Sequence, residues 1–385
     1  MRAIQREVEA FLGGGLLSLA AKGALKKSKL VQKSVYLPRH GVRMHYLERE
    51  PSRSDESKKN DKRSTTRTGI NQETSGSTTK SKDEPTILFF HGLSDSAKNM
   101  AGFVHSLNVP DHIRILVPDQ FGHGEDLKRA KSLDESEASY QHPTQSTLLE
   151  STSEFLDVVG VGSNCNAFGI SLGGALAYFI RLKRPDVIKR TVLVSPAIEY
   201  CIDDAFIDDF LEGRKRHMCF ENRQDVKLLF RDLSTGRDTD KRKRKDPVPK
   251  FFLEAVYRKS KQMAPEGHYK QMLHGLIDNI GKGAEDGGEN ESIFSADKDV
   301  DSTSPRLVIW PDHDYICNYE KGRRFFENSI QEDNKGTEWI QIPDCGHVFH
   351  RDGKIILQIE WVVKKIQDYL FNFSALSSSG FGSQI

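Results

Sequence analysis

The sequence lacks an excess of charge of either sign. Its 385 residues include 56 basic and 55 acidic side chains, which leaves a formal net charge of +1 with neutral histidines. Proteins that bind nucleic acid usually carry a marked basic excess, because neutralising phosphates supplies much of their affinity. The composition therefore predicts no nucleic-acid partner.

Long apolar runs and paired cysteines are also missing. No run reaches the ~18 to 20 residues that a membrane-spanning helix needs. The cysteines number five, an odd count, and none lies in a C-x-x-C pair. This usage favours reduced thiols and argues against a zinc site. We predict neither a metal nor a disulfide framework.

The longest apolar stretch, "AFLGGGLLSLAA" at residues 10–21, is short, holds three glycines and has basic flanks. It fits an amphipathic helix lying in a membrane interface, a targeting segment, or an ordinary N-terminal helix. We treat residues 1–32 as a separate segment.

Residues 51–84 contain one aliphatic side chain, Ile70, and are predicted to be a disordered insertion. Residues 374–385 are predicted to be a flexible tail.

The rest of the chain alternates strand and helix patterns. Residues 33–48 read as a β-hairpin around His40 and Gly41. Further strands are predicted at 86–91, 113–118, 164–168, 190–196, 306–310 and 339–342, with helices at 94–107, 146–158, 172–182 and 355–371. Such alternation predicts an α/β fold whose parallel sheet is covered on both faces.

Residues 197–304 break this alternation. Helical patterns occur at 205–211, 226–233 and 248–257, without a convincing buried strand. The sequence therefore predicts one sheet domain, formed by residues 33–196 and 305–373, that is interrupted by a helical insertion.

The stretch "GISLGG" places Ser171 between Gly169 and Gly173, where a predicted strand passes into a predicted helix. A nucleophilic serine on a sharp strand-to-helix turn needs small residues two positions before and after it. A serine also needs a base to take its proton. We predict that Ser171 is a nucleophile; the plain alternative is a glycine-rich turn used for close packing.

Candidates for the acid and the base follow the last two predicted strands. The chain order expected for this turn is serine, acid, histidine. His347 is the candidate base, ahead of His313 and His350. Asp314 is favoured over Asp312 as the acid because it lies deeper in its loop and precedes "YI".

A tetrahedral intermediate needs two N–H donors for its oxyanion. The residue after the nucleophile, Leu172, supplies one main-chain donor. Leu93, which follows "FFHG", is the candidate for the second.

Together these stretches resemble the α/β-hydrolase family: "HGLSDS" its oxyanion loop, "PDQFGHGED" its D-x-x-G-H-G turn, "GISLGG" its nucleophile elbow, "IWPDHDYIC" its acid loop and "DCGH" its histidine loop. The resemblance implies a mostly parallel eight-stranded sheet flanked by helices, with residues 197–304 as an inserted cap. It also implies a structural turn at Asp119, Gly122, His123 and Gly124, and no cofactor.

Within that family the chain is most similar to membrane-associated monoacylglycerol lipases, through "ILFFHGLSDSAKNM", "RPDVIKRTVLVSPAIEY" and "PVPKFFLEAVYRKSKQMAPEGHYKQML". This likeness implies a lipid ester substrate and peripheral membrane contact through the N-terminal segment and the cap. It implies a cytoplasmic protein or one peripheral on an intracellular membrane. Four cap phenylalanines either line the acyl pocket or attach the cap to the sheet domain: Phe206, Phe210, Phe251 and Phe252.

The leading functional hypothesis is therefore a serine ester hydrolase that forms an acyl-enzyme on Ser171. Thioester hydrolysis, acyl transfer and carbon–carbon hydrolysis use the same triad and stay open. An epoxide or haloalkane hydrolase is disfavoured, because those enzymes place an aspartate at the serine position. The alternative from another class is a non-catalytic scaffold, with polar tracts such as "KRKRK" contacting acidic surfaces.

Overall fold

A computed structural model describes most of the predicted sheet domain and part of the insertion. The described residues are 22–52, 84–125, 143–214, 220–234, 249–264, 267–277, 305–328, 336–348 and 355–373. Residues 1–21, nearly all of the predicted disordered insertion at 51–84, and the predicted tail lie outside them.

Eight strands form one sheet in the order β1-β2-β4-β3-β5-β6-β7-β8. Strand β2 runs antiparallel to β1 and β4, and the remaining neighbours are parallel. The predicted α/β-hydrolase fold is confirmed. The strands are β1 Val31–Leu37, β2 Val42–Arg49, β3 Thr86–Phe90, β4 Arg114–Pro118, β5 Cys165–Ile170, β6 Ile188–Val194, β7 Arg306–Pro311 and β8 Thr337–Ile342.

The central strands are buried on both faces. Every residue of β3, β4, β5 and β7 is buried. Near-continuous apolar runs such as "TILFF" form such strands because helices cover both sides of a parallel sheet. The parallel pairing also brings the carboxyl ends of β3 and β5 to β8 to one edge of the sheet.

The helices confirm most of the periodicity predictions. In chain order they are α1 Ala97–Ser106, α2 Gln145–Val159, α3 Leu172–Lys183, α4 Asp204–Leu211, α5 Arg223–Asp232, α6 Lys250–Met263, α7 His268–Ile277, α8 Tyr319–Asn328 and α9 Glu360–Leu370. Helix α2 shows why boundaries are readable: Thr144 caps its first turn, and Gly160 ends it at φ 70°. None of the described helices is both long and apolar enough to cross a membrane.

Helices α7 and α8 were not predicted. Helix α8 has the sequence "YEKGRRFFEN". Its many charged residues and its internal glycine make it difficult to recognise as a helix from the sequence alone. Gly322 is required there because the buried Trp310 ring occupies the space that a Cβ would need. The position of this helix therefore depends on tertiary packing against Trp310.

The described part of the insertion holds helices α4 to α7, which lie between β6 and β7 in the chain. Helix α7 contacts the sheet domain through His268, whose Nε2 lies 3.0 Å from the carbonyl oxygen of Gly122. Near the start of α4, Lys321 contacts the Asp204 carboxylate at 2.5 Å. We call the described residues between 197 and 277 the cap.

The turn between β1 and β2 is fixed to α2 by one buried carboxylate. Glu154, which is 1 % exposed, accepts a hydrogen bond from the main-chain N–H of Arg39 at 2.7 Å and contacts His40 Nδ1 at 2.5 Å. Burial raises the pKa of this carboxyl, but the hydrogen bonds from His40 and Arg39 bring the pKa below its ordinary value. The carboxylate therefore stabilises the fold in its charged form.

Glu154→Gln is expected to lower the free energy of unfolding by about 2 kcal/mol at neutral pH, the usual range for hydrogen bonds to a buried charge. A lowered folded pKa gives stability that is present above the ordinary pKa of 4.5 and is lost as pH falls through the folded value. The difference between wild type and variant should therefore shrink in acid. Urea unfolding across pH measures it.

Asp368→Asn is the matched control, because its carboxylate pairs with Lys364 at an exposed surface and should matter little. An equal loss at neutral and acidic pH in Glu154→Gln would contradict this role of the charge.

Candidate active site

Ser171 sits on a strained turn between β5 and α3. Its φ of 55° and ψ of −122° are rarely adopted by a residue with a side chain, at a cost of order 1–3 kcal/mol. Three main-chain hydrogen bonds hold it: its N–H donates to Val194 at 2.9 Å, and its carbonyl accepts from Ala175 and Ala197 at 3.0 Å. The surrounding structure thus compensates for the strain.

The positions two before and two after Ser171 require glycine because other main-chain atoms approach them closely. A Cβ on Gly169 would lie within 2.7 Å of main-chain atoms of Gly173 and Gly174. A Cβ on Gly173 would lie within 2.6 Å of main-chain atoms of Phe90 and His91. The spacing of "GISLGG" is therefore a steric requirement of this turn.

Asp314 and His347 form a buried hydrogen-bonded pair. Asp314 Oδ2 lies 2.7 Å from His347 Nδ1, with the residues 7 % and 2 % exposed. The other oxygen, Oδ1, accepts hydrogen bonds at 2.9 Å from the main-chain N–H groups of Ile316 and Cys317. The carboxylate is thus oriented by its own loop. It favours the imidazole tautomer that carries its proton on Nδ1, which leaves the Nε2 lone pair for a proton transfer.

Asp312, the weaker candidate for the acid, has a different role. Its carboxylate accepts hydrogen bonds from the main-chain N–H groups of Asp344 at 3.0 Å and Cys345 at 3.1 Å. It therefore fixes the loop that carries His347, a role that sequence reasoning missed. The His313 side chain is about half exposed, and His350 lies outside the described residues.

Ser171 follows β5, Asp314 follows β7, and His347 follows β8, so all three lie beyond the same edge of the sheet. Hydrogen bonds among the described residues join His347 to Asp314 but do not join it to Ser171. Catalytic hydrogen bonds without substrate are often long and tighten only in the complex.

The loop after β3 approaches the serine, and His91 orients it. A Cβ on Gly92 would lie 3.7 Å from Ser171 Cβ. The N–H of Gln120 donates to His91 Nε2 at 3.2 Å, so the proton of the neutral ring is on Nδ1, which donates to the Gly92 carbonyl at 2.8 Å. Because a trans peptide directs its C=O and N–H oppositely, the N–H of Leu93 then points away from His91.

Leu172, the other predicted donor, is the first residue of α3. The first N–H groups of a helix have no acceptor within it and carry the positive end of its dipole. The main-chain N–H of Leu172 is therefore suited to an anion.

The "PDQFGHGED" turn, which follows β4, contacts the loop after β3 and the start of α1. Asp119 Oδ1 accepts a hydrogen bond at 2.7 Å from the N–H of Ala97, the first residue of α1. Gly124, at φ 65°, leaves the room that the Asp119 carboxylate occupies. Burial, together with His91 and His268, holds the pKa of His123 well below its usual range. These contacts are structural, in line with the prediction for this turn.

Cys317 lies beside the pair, with ligand atoms of Asp314, Cys317 and His347 all within 4.8 Å of one another. Burial, and then the negative charge of Asp314, raise the pKa of the Cys317 thiol well above its usual range. A protonated thiol is a poor metal ligand. Both carboxylate oxygens are already hydrogen-bonded, so this donor set suits an acid–histidine pair better than a metal.

The four cap phenylalanines differ in environment. Phe206 and Phe210 are buried in the core cluster that contains Leu172, and the Phe210 ring lies 4.8 Å from that of His274. Phe252 packs edge-to-face on Phe230 at 5.7 Å. Phe251 is 36 % exposed. The burial of Phe206 and Phe210 in this large cluster fits attachment of the cap to the sheet domain as well as a place in an acyl pocket.

The family model for the alpha/beta hydrolase fold matches residues 85–354, more than half of the chain. The chain belongs to the α/β-hydrolase fold family. The match spans the serine turn, the cap and the acid and histidine loops.

The chain is similar to known lipases in sequence and to a phospholipase in structure. Lipase 1 of Psychrobacter immobilis is 24% identical over 265 residues, covering 68% of this chain and 71% of the relative. An sn-1-specific diacylglycerol lipase of Mus musculus is 32% identical over 110 residues, 29% of this chain and 32% of the relative. A crystal structure of a membrane phospholipase A, described as a bacterial virulence factor, superposes with a TM-score of 0.63 at 16% identity, covering 97% of this chain and 96% of that one.

Gly173→Ala is expected to destabilise the hydrolase by about 2 kcal/mol, as overpacking of a tight core does, because the methyl group overlaps the main chain at Phe90 and His91. Gly102→Ala, in α1, is the matched control, since a Cβ there meets nothing within 4 Å. Thermal unfolding of both variants measures the effect. Equal melting temperatures would show that the turn tolerates a side chain.

Proposed function

We propose that this protein is a serine ester hydrolase that cleaves a carboxylic ester of a lipid, with monoacylglycerol as the favoured substrate. The observation that carries the proposal is the buried Asp314–His347 hydrogen bond, at the same edge of the sheet as the strained turn of Ser171. A hydrogen-bonded acid and histidine at the same sheet edge as a serine on a strained turn are the parts that acyl transfer requires.

In this mechanism Ser171 Oγ attacks the ester carbonyl carbon while His347 Nε2 takes the hydroxyl proton. Asp314 stabilises the imidazolium that forms. The main-chain N–H groups of Leu93 and Leu172 donate to the oxyanion. The C–O bond then breaks, the leaving alcohol takes the proton from His347, and an acyl-enzyme remains. A water molecule that loses its proton to His347 releases the fatty acid and restores Ser171.

Two features support a lipid ester. The relatives include proteins named as a lipase and a diacylglycerol lipase. Phe206 and Phe210 of the cap belong to the large apolar cluster that also contains Leu172, and apolar side chains are what an acyl chain would contact. Peripheral contact of residues 1–32 and the cap with an intracellular membrane would give access to such a substrate.

Ser171→Ala should abolish covalent labelling by a fluorophosphonate, because the probe reacts only with an activated serine hydroxyl. His347→Ala should lower the labelling rate by several orders of magnitude through loss of the base. Intact-mass spectrometry after incubation with the probe measures both. A folded wild-type protein that is not labelled would support the non-catalytic scaffold instead.

Asp314→Asn and Asp312→Asn separate the two candidate acids. The first should reduce kcat by roughly 10⁴, since an amide favours the wrong imidazole tautomer. The second should mainly lower the melting temperature, because Asp312 binds the N–H groups of Asp344 and Cys345. A larger kcat loss in Asp312→Asn would reverse the assignment.

Substrate class is tested by comparing kcat/KM for monoacylglycerols, diacylglycerols, short water-soluble esters and acyl-thioesters. The proposal predicts the highest value for a monoacylglycerol. A preference for soluble esters or thioesters would contradict the lipid assignment and leave the serine chemistry intact.

A further inference from the structure

The loop that carries His347 is fixed on its first side by the sheet domain. The Asp312 carboxylate holds the N–H groups of Asp344 and Cys345. In addition, the N–H of His313 donates to the Cys345 carbonyl at 3.0 Å. These contacts stop at Cys345, two residues before the histidine.

On its other side the loop is held by the cap and also by the segment that follows it, where the N–H of Ile356 donates to the Val348 carbonyl at 2.8 Å. The N–H of Val348 donates to the carbonyl of Leu233 at 2.9 Å, directly after the end of α5. A Cβ on Gly346 would lie within 2.8 Å of three main-chain atoms of Ser234. Cap backbone therefore contacts the residue before His347 and the residue after it. Because these contacts are main chain to main chain, a shift of residues 233–234 displaces the backbone of His347.

Helix α5 is in turn bound to α6 by a cluster of charges. The Arg223 guanidinium forms two hydrogen bonds to the Glu254 carboxylate, at 2.5 and 2.9 Å, and stacks 4.7 Å from the ring centroid of Tyr257. Arg258 adds a third bond to Glu254 at 2.9 Å. Glu254 is 6 % exposed, whereas the side chains of Arg223 and Arg258 are 48 % and 30 % exposed, so a buried carboxylate is paired with two partly solvated guanidinium groups. Helices α5 and α6 are therefore held together, and the end of α5 is held with them.

We infer that the cap is a positioning element for the base: residues 233–234, supported by the Glu254 cluster, hold His347 in place for proton transfer with Ser171. The inference rests on the proposed function. It gives the cap a role in the chemical step, in addition to any role in enclosing the acyl chain. Loosening the cap should then slow the reaction even of a reagent too small to need an acyl pocket.

Gly346→Ala tests the contact itself with a small methyl fluorophosphonate. The labelling rate constant of Ser171 should fall roughly 10- to 100-fold, because a catalytic group displaced by about 1 Å loses up to that much. Gly102→Ala is the control for adding a methyl group where there is space. Melting temperatures verify that each variant is folded.

Glu254→Ala tests the same inference from the cap side and decides it if Gly346→Ala does not fold. With a short-chain ester it should lower kcat while KM changes little, and it should slow labelling. Glu327→Ala is the matched control, since Glu327 pairs with Arg323 on the exposed face of α8. A loss of fold stability alone would lower the amount of active enzyme but not the kcat per labelled site.

A wild-type labelling rate in folded Glu254→Ala, or in folded Gly346→Ala, overturns the inference. In that case a labelled wild type still leaves the proposed function standing. Absence of labelling in wild type would instead reject the proposed function, so the two failures are distinguishable.

Discussion

The whole site depends on a steric constraint at the end of β5. The chain must reverse from strand to helix within a few residues, and Ser171 takes up a strained backbone conformation to do so. Close main-chain contacts at Gly169 and Gly173 allow that reversal. The same approach places the helix N-terminus against the loop after β3. The positions of the proposed nucleophile and of the proposed oxyanion donor Leu172 therefore both follow from one tight turn.

The acid and histidine loops lie at the same edge of the sheet as this turn. Asp314 is oriented by N–H groups of its own loop, and His347 by Asp314. Asp312 then ties the histidine loop to the loop after β7. The pair is thus built from short-range loop contacts on two neighbouring strands. Beyond His347, Val348 is bonded both to Leu233 of the cap and to Ile356.

Much of the sheet and of the candidate site can be predicted from the sequence. Buried strands are recognisable as short apolar runs, and the glycine spacing around Ser171 favours a sharp strand-to-helix turn. The order of Ser171, Asp314 and His347 along the chain follows from where each predicted strand ends. The sheet and the candidate triad positions could therefore be predicted without coordinates, although the catalytic roles are proposals.

Other features depend on contacts that a sequence does not display. Helix α8 is stabilised by packing of Gly322 on Trp310, while its own pattern is mostly charged. The role of Asp312 differs from that of Asp314 because Asp312 accepts N–H groups of the histidine loop, whereas Asp314 contacts the His347 ring itself. Gly346 looks like an ordinary loop glycine until the cap backbone at Ser234 is placed against it. In each case the deciding partner lies far away in the chain.

The most direct measurement of the central claim is a crystal structure of the protein after reaction with a fluorophosphonate. The account predicts phosphorus bonded to Ser171 Oγ, with the phosphoryl oxygen within hydrogen-bond distance of the N–H groups of Leu93 and Leu172. It also predicts that His347 Nε2 faces the adduct and that Nδ1 stays on Asp314. An adduct on another residue, or a phosphoryl oxygen turned away from both N–H groups, would contradict it.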